Sequence, residues 1–190
     1  MDTIKPRIKR TEPKGNQVTN GTFKIVYSEE NLEDISLFWK KSSEDDFNEV
    51  ALDNCGAGNN KECLIIDDLS NANGEEIDYY FKISDEINEV VSRKVNGVDV
   101  DTTSPEINVL SPLNIQYGNN VLFEVNVSED VSLSYFDLNE RSPRYRSLCR
   151  NCNSLDKVMT FSGGSHNIIF LALDKAGNSD ADEIGFSVLD

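Results

Sequence analysis

The residues of this chain best equipped for chemistry are four cysteines, a single histidine and a large surplus of carboxylates. The cysteines form two local pairs, Cys55 with Cys63 in CGAGNNKEC and Cys149 with Cys152 in CRNC. In an oxidising compartment each pair closes a short-range disulfide that pins a loop, worth ~2 kcal/mol because the rings are small. In a reducing compartment C-x-x-C suits zinc or thiol exchange instead. Zinc needs four ligands, and His166 is the one imidazole able to help complete a set. A thiol-exchange motif opens a helix, and none is predicted after Cys152. Disulfides are the expected state of all four cysteines.

His166 is also the only base from which a hydrolytic triad could be built. It lies in a predicted strand, where a half-buried structural role is the expectation. Adjacent acids such as Asp45 with Asp46 and Asp67 with Asp68 follow from the acidity of the chain and need no catalytic explanation. No phosphate-cradling glycine loop and no nucleophile elbow is present, so the chain is not expected to be an enzyme.

Oxygen ligands for calcium could come from Asp85 in DEINE, Asp174 in DKAGNSDADE, and Asp99 and Asp101 between the two halves. The plainer reading is that Asp85 and Asp174 bond the backbone amides of their own turns. No other cofactor is implied. One segment breaks the general acidity: ERSPRYRSLCR carries Arg141, Arg144, Arg146 and Arg150 around Tyr145. Arginine with tyrosine favours an interaction loop, and a solvated turn neutralised by nearby acids is the alternative. Two N-glycosylation tripeptides begin at Asn20 and Asn126, the latter between inward-facing Val125 and Val127.

These residues must be positioned by strands. The chain has 190 residues and a formal charge of −16. It carries 12 basic and 21 acidic residues up to Val100, and 6 and 13 beyond it. Nucleic acid is excluded as a partner, because phosphate binding needs clustered cations. No apolar run is long enough to span a bilayer, and MDTIKPRIKR lacks the apolar core of a secretory signal. An exported protein would thus carry its signal or anchor outside these residues.

The sequence repeats. Pro6 and Pro13 match Pro105 and Pro112 at an offset of 99. Phe23, Ile25, Tyr27, Ser28 and Glu29 match Phe123, Val125, Val127, Ser128 and Glu129, while Ile77, Tyr79, Phe81, Ile83 and Asp85 match His166, Ile168, Phe170, Ala172 and Asp174. A period this long means two copies of one domain, expected over 1–100 and 101–190. Within each copy apolar residues alternate with period two. The predicted strands are 4–11, 22–28, 35–40, 47–52, 63–67, 77–84 and 89–98, then 106–110, 120–127, 131–137, 144–148, 155–161, 166–173 and 183–189. Seven short strands per copy, with turn clusters such as NANGEE and SGGS between them, predict an all-β pair of immunoglobulin-like sandwiches. The cysteines avoid the second and sixth strands, so the antibody-type inter-sheet disulfide is excluded.

The linker DTTSPEINVLSP, the strand and turn GSHNIIFLALDKAGNS and the final strand EIGFSVLD resemble the repeated immunoglobulin-like or fibronectin type III-like domains of prokaryotic, particularly archaeal, cell-surface proteins. The resemblance implies an extracellular structural or adhesive segment that spaces or presents binding loops to other envelope or surface proteins, or to glycans. A carbohydrate-binding accessory region of a secreted glycosidase is the alternative. It requires an exposed row of aromatics, for which Phe38, Trp39, Tyr79 and Tyr80 are the candidates.

Overall fold

A computed structural model describes residues 4–189. The chain divides into two compact units, one ending at Thr102 and the other beginning at Thr103. Each is an immunoglobulin-like β-sandwich, and the only helical element among the described residues is a 3₁₀ turn at Ser70–Ala72.

In the first unit, β1 (Arg7–Glu12), β3 (Thr22–Glu29) and β6 (Gly58–Ile66) form one sheet in the order β1-β3-β6. The facing sheet runs β2 (Val18–Thr19), β9 (Val95–Val100), β7 (Glu76–Asp85), β4 (Leu32–Lys41), β5 (Asn48–Ala51), with β8 (Glu89–Val91) also paired to β7. The chain enters in one sheet, passes a cis Glu12–Pro13 bond and continues in the other as β2, parallel to β9. This change of sheet within the first strand, with the two-sheet strand order, makes the topology immunoglobulin-like.

The alternation expected from the sequence sets the core. Phe23, Ile25 and Tyr27 of β3 and Ile77, Tyr79, Phe81 and Ile83 of β7 are all 0% exposed. The Phe23 and Tyr79 rings meet edge to face at 5.1 Å across the two layers. Trp39 points into the same core from β4, its Nε1 donating to Asp67 at 2.6 Å.

The second unit is built from β10 (Ile107–Ser111), β11 (Gln116–Tyr117), β12 (Asn120–Asp137), β13 (Arg146–Thr160), β14 (Gly164–Leu173) and β15 (Ser179–Val188). Strands expected at 120–127 and 131–137 are one continuous β12, and those expected at 144–148 and 155–161 are one β13. The early half of β12 pairs β10 and the end of β13; its later half pairs β14 and the start of β13. The segment Ser128–Asp130, read from sequence as a turn, contains no Gly or Pro to break the strand. Register shifts between Asn126 and Val131 and again near Leu133 bend the hairpin from one layer into the other, as bulges do. The core gathers Phe123, Tyr135, Phe161 and Phe170, with Phe123 touching the other three rings at 5.0–5.6 Å.

Candidate functional site

Both cysteine pairs are disulfides, Cys55–Cys63 and Cys149–Cys152. They occupy equivalent places. Cys55 lies in the loop between β5 and β6 and bonds to Cys63 of β6, which is buried in the first core. Cys149 and Cys152 straddle the point where β13 leaves β14's layer and joins β10's, with Asn151 between them at φ 53°. In both units the bridge fastens the crossing between sheets.

His166 has no nitrogen left for catalysis. Its Nδ1 meets the Asp137 carboxylate at 2.5 Å and its Nε2 meets the Ser162 carbonyl at 2.9 Å. The ring stacks on Phe186 at 5.4 Å and lies edge-on to Phe161 at 4.9 Å. Asp137 is 1% exposed and also accepts the Asn139 and Asn167 amides. No local pattern marks this partner, which lies 29 residues from His166. A hollow of about 480 Å³ beside the pair is lined by Glu140 and Arg146. No serine hydroxyl is bonded to His166 among the described residues, so the arrangement is a structural clamp at the end of the core.

The turn aspartates are engaged in the way the plainer reading supposed. Asp85 accepts the Ile87 and Asn88 amides at 2.7 and 2.6 Å and the Asn88 side chain at 3.0 Å. Asp174 accepts the Gly177 and Asn178 amides at 2.7 and 2.8 Å and the Asn178 side chain at 2.8 Å. The longer second turn needs Gly177 at φ 99°. Burial pushes the Asp85 carboxyl up, and the Asn88 side chain with the two amides outweighs it, holding the group below its ordinary value. Asp99 is exposed on β9, and the Asp101 amide donates to the Thr19 carbonyl at 2.9 Å. An open hollow of about 990 Å³ beside Asp85 is rimmed by Glu29, Glu30, Glu33 and Glu86.

The arginine segment separates into two roles. Arg146 starts β13 and is locked to Glu140 through two bonds of 2.6 and 2.7 Å, its guanidinium over Tyr135. Arg150 is an exposed strand residue opposite Ser132. Arg141 and Arg144 stand exposed in the turn that joins β12 to β13. Tyr145, 55% exposed, lies edge-on to Phe136 at 4.6 Å. Asn126 points outward and is exposed; Asn20 is half-buried, its side-chain oxygen accepting the Thr22 amide at 3.2 Å.

The aromatics proposed as a carbohydrate platform do not form one. Trp39 and Tyr79 face the core. Phe38 and Tyr80 face outward, but they stack on each other at 4.9 Å and 3°. Lys82 lies over Phe38 at 5.3 Å, Phe47 abuts Tyr80 at 5.0 Å, and Lys94 lies over Phe47 at 5.0 Å. Phe38, Tyr80 and Phe47 are half-buried in contacts with one another and with two lysines, and do not stand as the exposed row that the carbohydrate-binding alternative requires. Behind the ladder, buried Asp78 is reached by Lys94 at 3.2 Å and Ser42 at 3.0 Å. Burial raises its pKa, and the hydrogen bonds from Lys94, Ser42 and the Gly97 amide more than offset that, holding it below the ordinary carboxylate value. Burial likewise pushes the Tyr79 phenol up to about 12, and its hydroxyl donates to the Pro13 carbonyl.

No protein-family model matches the chain, and no curated protein matches it. Among solved structures, the FN1–FN3 domains of chicken CNTN1 are similar at a TM-score of 0.45 and 12% identity, over 95% of this chain and 65% of that one. This chain therefore spans less than two-thirds of the length of that solved chain. A chimeric titin Z1Z2 is similar at 0.36 and 14%, over 100% of both chains. Dimeric latent PorU from Porphyromonas gingivalis is similar at 0.35 and 13%, over 98% of this chain and 24% of that one. None of these likenesses carries the fold assignment, which rests on the strand order and pairing described above. No helix among the described residues is long and apolar enough to cross a membrane.

Proposed function

We propose that this chain is a non-enzymatic, extracellular segment of a cell-surface protein: two sandwich modules that hold other parts at a distance and present loops to envelope proteins or glycans. The observation that carries the reading is the pair of disulfides, one in each unit and both at the crossing between sheets. Such bridges persist in oxidising compartments, and small cores benefit most from them. Support also comes from the groups that could do chemistry. His166, Asp85, Asp137 and Asp174 are all engaged in holding the fold. The chain passes from one module to the other after Thr102, and each folds around its own core. Arg141, Arg144 and Tyr145 form the loop a partner meets first, and Asn126 is the glycan acceptor with the better exposure.

The test is labelling of intact cells of the native source with a membrane-impermeant, amine-reactive reagent. Exposed lysines such as Lys9, Lys61 and Lys175 should be modified without lysis. Modification only after lysis would overturn the placement.

A further inference from the structure

The outer side of the β14 sheet has a composition that the equivalent sheet of the first unit lacks. Strand β14 ends IIFLAL, apolar on both sides. Ile168, Phe170 and Ala172 fill the core. Ile169, Leu171 and Leu173 point the other way, where no strand of the second unit packs over them, and Leu173 is 42% exposed. At the matching places β7 carries Tyr80, Lys82 and Ser84. A strand apolar on both sides is the pattern of a sheet covered on both faces.

The neighbouring strands extend the apolar surface. Phe136 stands across from Ile169, Ala181 across from Leu171, and Tyr145 lies against Phe136. The two margins carry opposite charge. On the part of β13 that pairs the later half of β12 the exposed cation is Arg150, and Arg144 stands exposed in the preceding turn. Along β15 the exposed acid on this face is Glu183, across from Ile169, on a stretch that β11 leaves unpaired because it reaches only Ser187 and Val188. Asn126, the exposed glycan acceptor, sits on the part of β12 that pairs β10, in the other layer, so a glycan there leaves this face open.

We infer that this face binds a second copy of the chain, the two β14 sheets meeting about a twofold axis that runs along the strands. That axis lays the arginine margin of each copy over the acidic margin of the other and buries Leu171, Leu173, Ile169 and Tyr145 between them. An apolar centre with opposite charges on its two sides is self-complementary, as an isologous contact requires. A partner of uniform charge would be attracted by one margin and repelled by the other.

The face sets the strength. Four strands ~4.8 Å apart and about six residues long span roughly 15 by 20 Å, so each copy contributes about 300 Å² against the ~800 Å² of a stable pair. The association is weak in solution and gains strength when many copies are held on one surface.

Sedimentation velocity of the full chain, from about 10 μM to about 1 mM, tests this. The sedimentation coefficient of the wild type should rise with concentration. Leu171→Lys, which installs the residue type of β7, and Leu173→Lys, at a more exposed position, should each remain monomeric with Tm unchanged. Arg144→Glu should weaken association about fivefold, and adding Glu183→Arg should restore it. A wild type that stays monomeric throughout, including one that instead binds a glycan or a different protein by this face, overturns the inference; so does a Leu173→Lys chain that associates as the wild type does. This is a property of the purified chain, so its failure is distinguishable from failure of cell-surface labelling.

Discussion

Strands β7 and β14 occupy the same place in two copies of one fold, and they differ almost entirely on one side. Their inner residues are interchangeable in kind: Tyr79, Phe81 and Ile83 against Ile168, Phe170 and Ala172, all fully buried. Their outer residues are not. The first module covers its outer rings with its own cations, Lys82 on Phe38 and Lys94 on Phe47, and so finishes that surface by itself. The second leaves Ile169, Leu171 and Leu173 in a row with no strand of its own above them, the first two half-buried and Leu173 exposed. The two strands share the half that packs the core and differ in the other half, so the fold is common to both units while their surfaces can serve different functions.

The comparison would break first at the shared interior. Phe81→Ala and Phe170→Ala should each cost about 3–5 kcal/mol, since both rings are wholly buried. If the modules fold separately, calorimetry will show each substitution lowering one transition and leaving the other in place. One merged transition moved equally by both would contradict independent cores.

The disulfides come next and should separate the modules by ring size. Their cysteines are 8 and 3 residues apart. In the chain-entropy account, replacing Cys55 and Cys63 with serine costs about 2.5 kcal/mol and replacing Cys149 and Cys152 costs about 1.6 kcal/mol. Urea unfolding of the two double variants measures the difference, and the reverse order would show that strain or packing outweighs ring size.

A smaller effect belongs to acid. Because Asp78 is held below its ordinary value of 3.8, its contribution is present above that pH and is lost as pH falls through the still lower folded value. Asp78→Asn should therefore be less stable than wild type by roughly 1–2 kcal/mol at neutral pH, and the gap should close below the ordinary value. A gap that stays constant with pH would remove the ionised carboxylate from the account. Least of all is expected from calcium: Asp85 and Asp174 already accept three donor groups each, so Tm in calcium and in chelator should agree. A clear rise in calcium would place an ion on these carboxylates.

The legible parts of the sequence were those governed by local alternation. Phe23, Ile25 and Tyr27, or Ile77 through Ile83, place one face inward whatever the rest of the chain does. The turn aspartates were legible for the same reason, since Asp85 and Asp174 bond amides within four residues. What escaped was non-local or too short to have a period. Strands β2 and β11 contribute two residues each and are recognisable only by their parallel partners, β9 and β15. The bend of β12 lacks any breaker residue and depends on register shifts against β13. Asp137 and the locking of Arg146 by Glu140 require knowing which turn lies beside which strand end. The run IIFLAL was visible, but alternation alone explains half of it and is silent about the other half.

The state of four sulfur atoms in the protein from its native source tests an extracellular structural role most directly. Rapid alkylation followed by peptide mass spectrometry should find both pairs oxidised, Cys55 to Cys63 and Cys149 to Cys152, in material recovered from the outside of the cell. Four free thiols in freshly quenched native protein would contradict an extracellular structural segment.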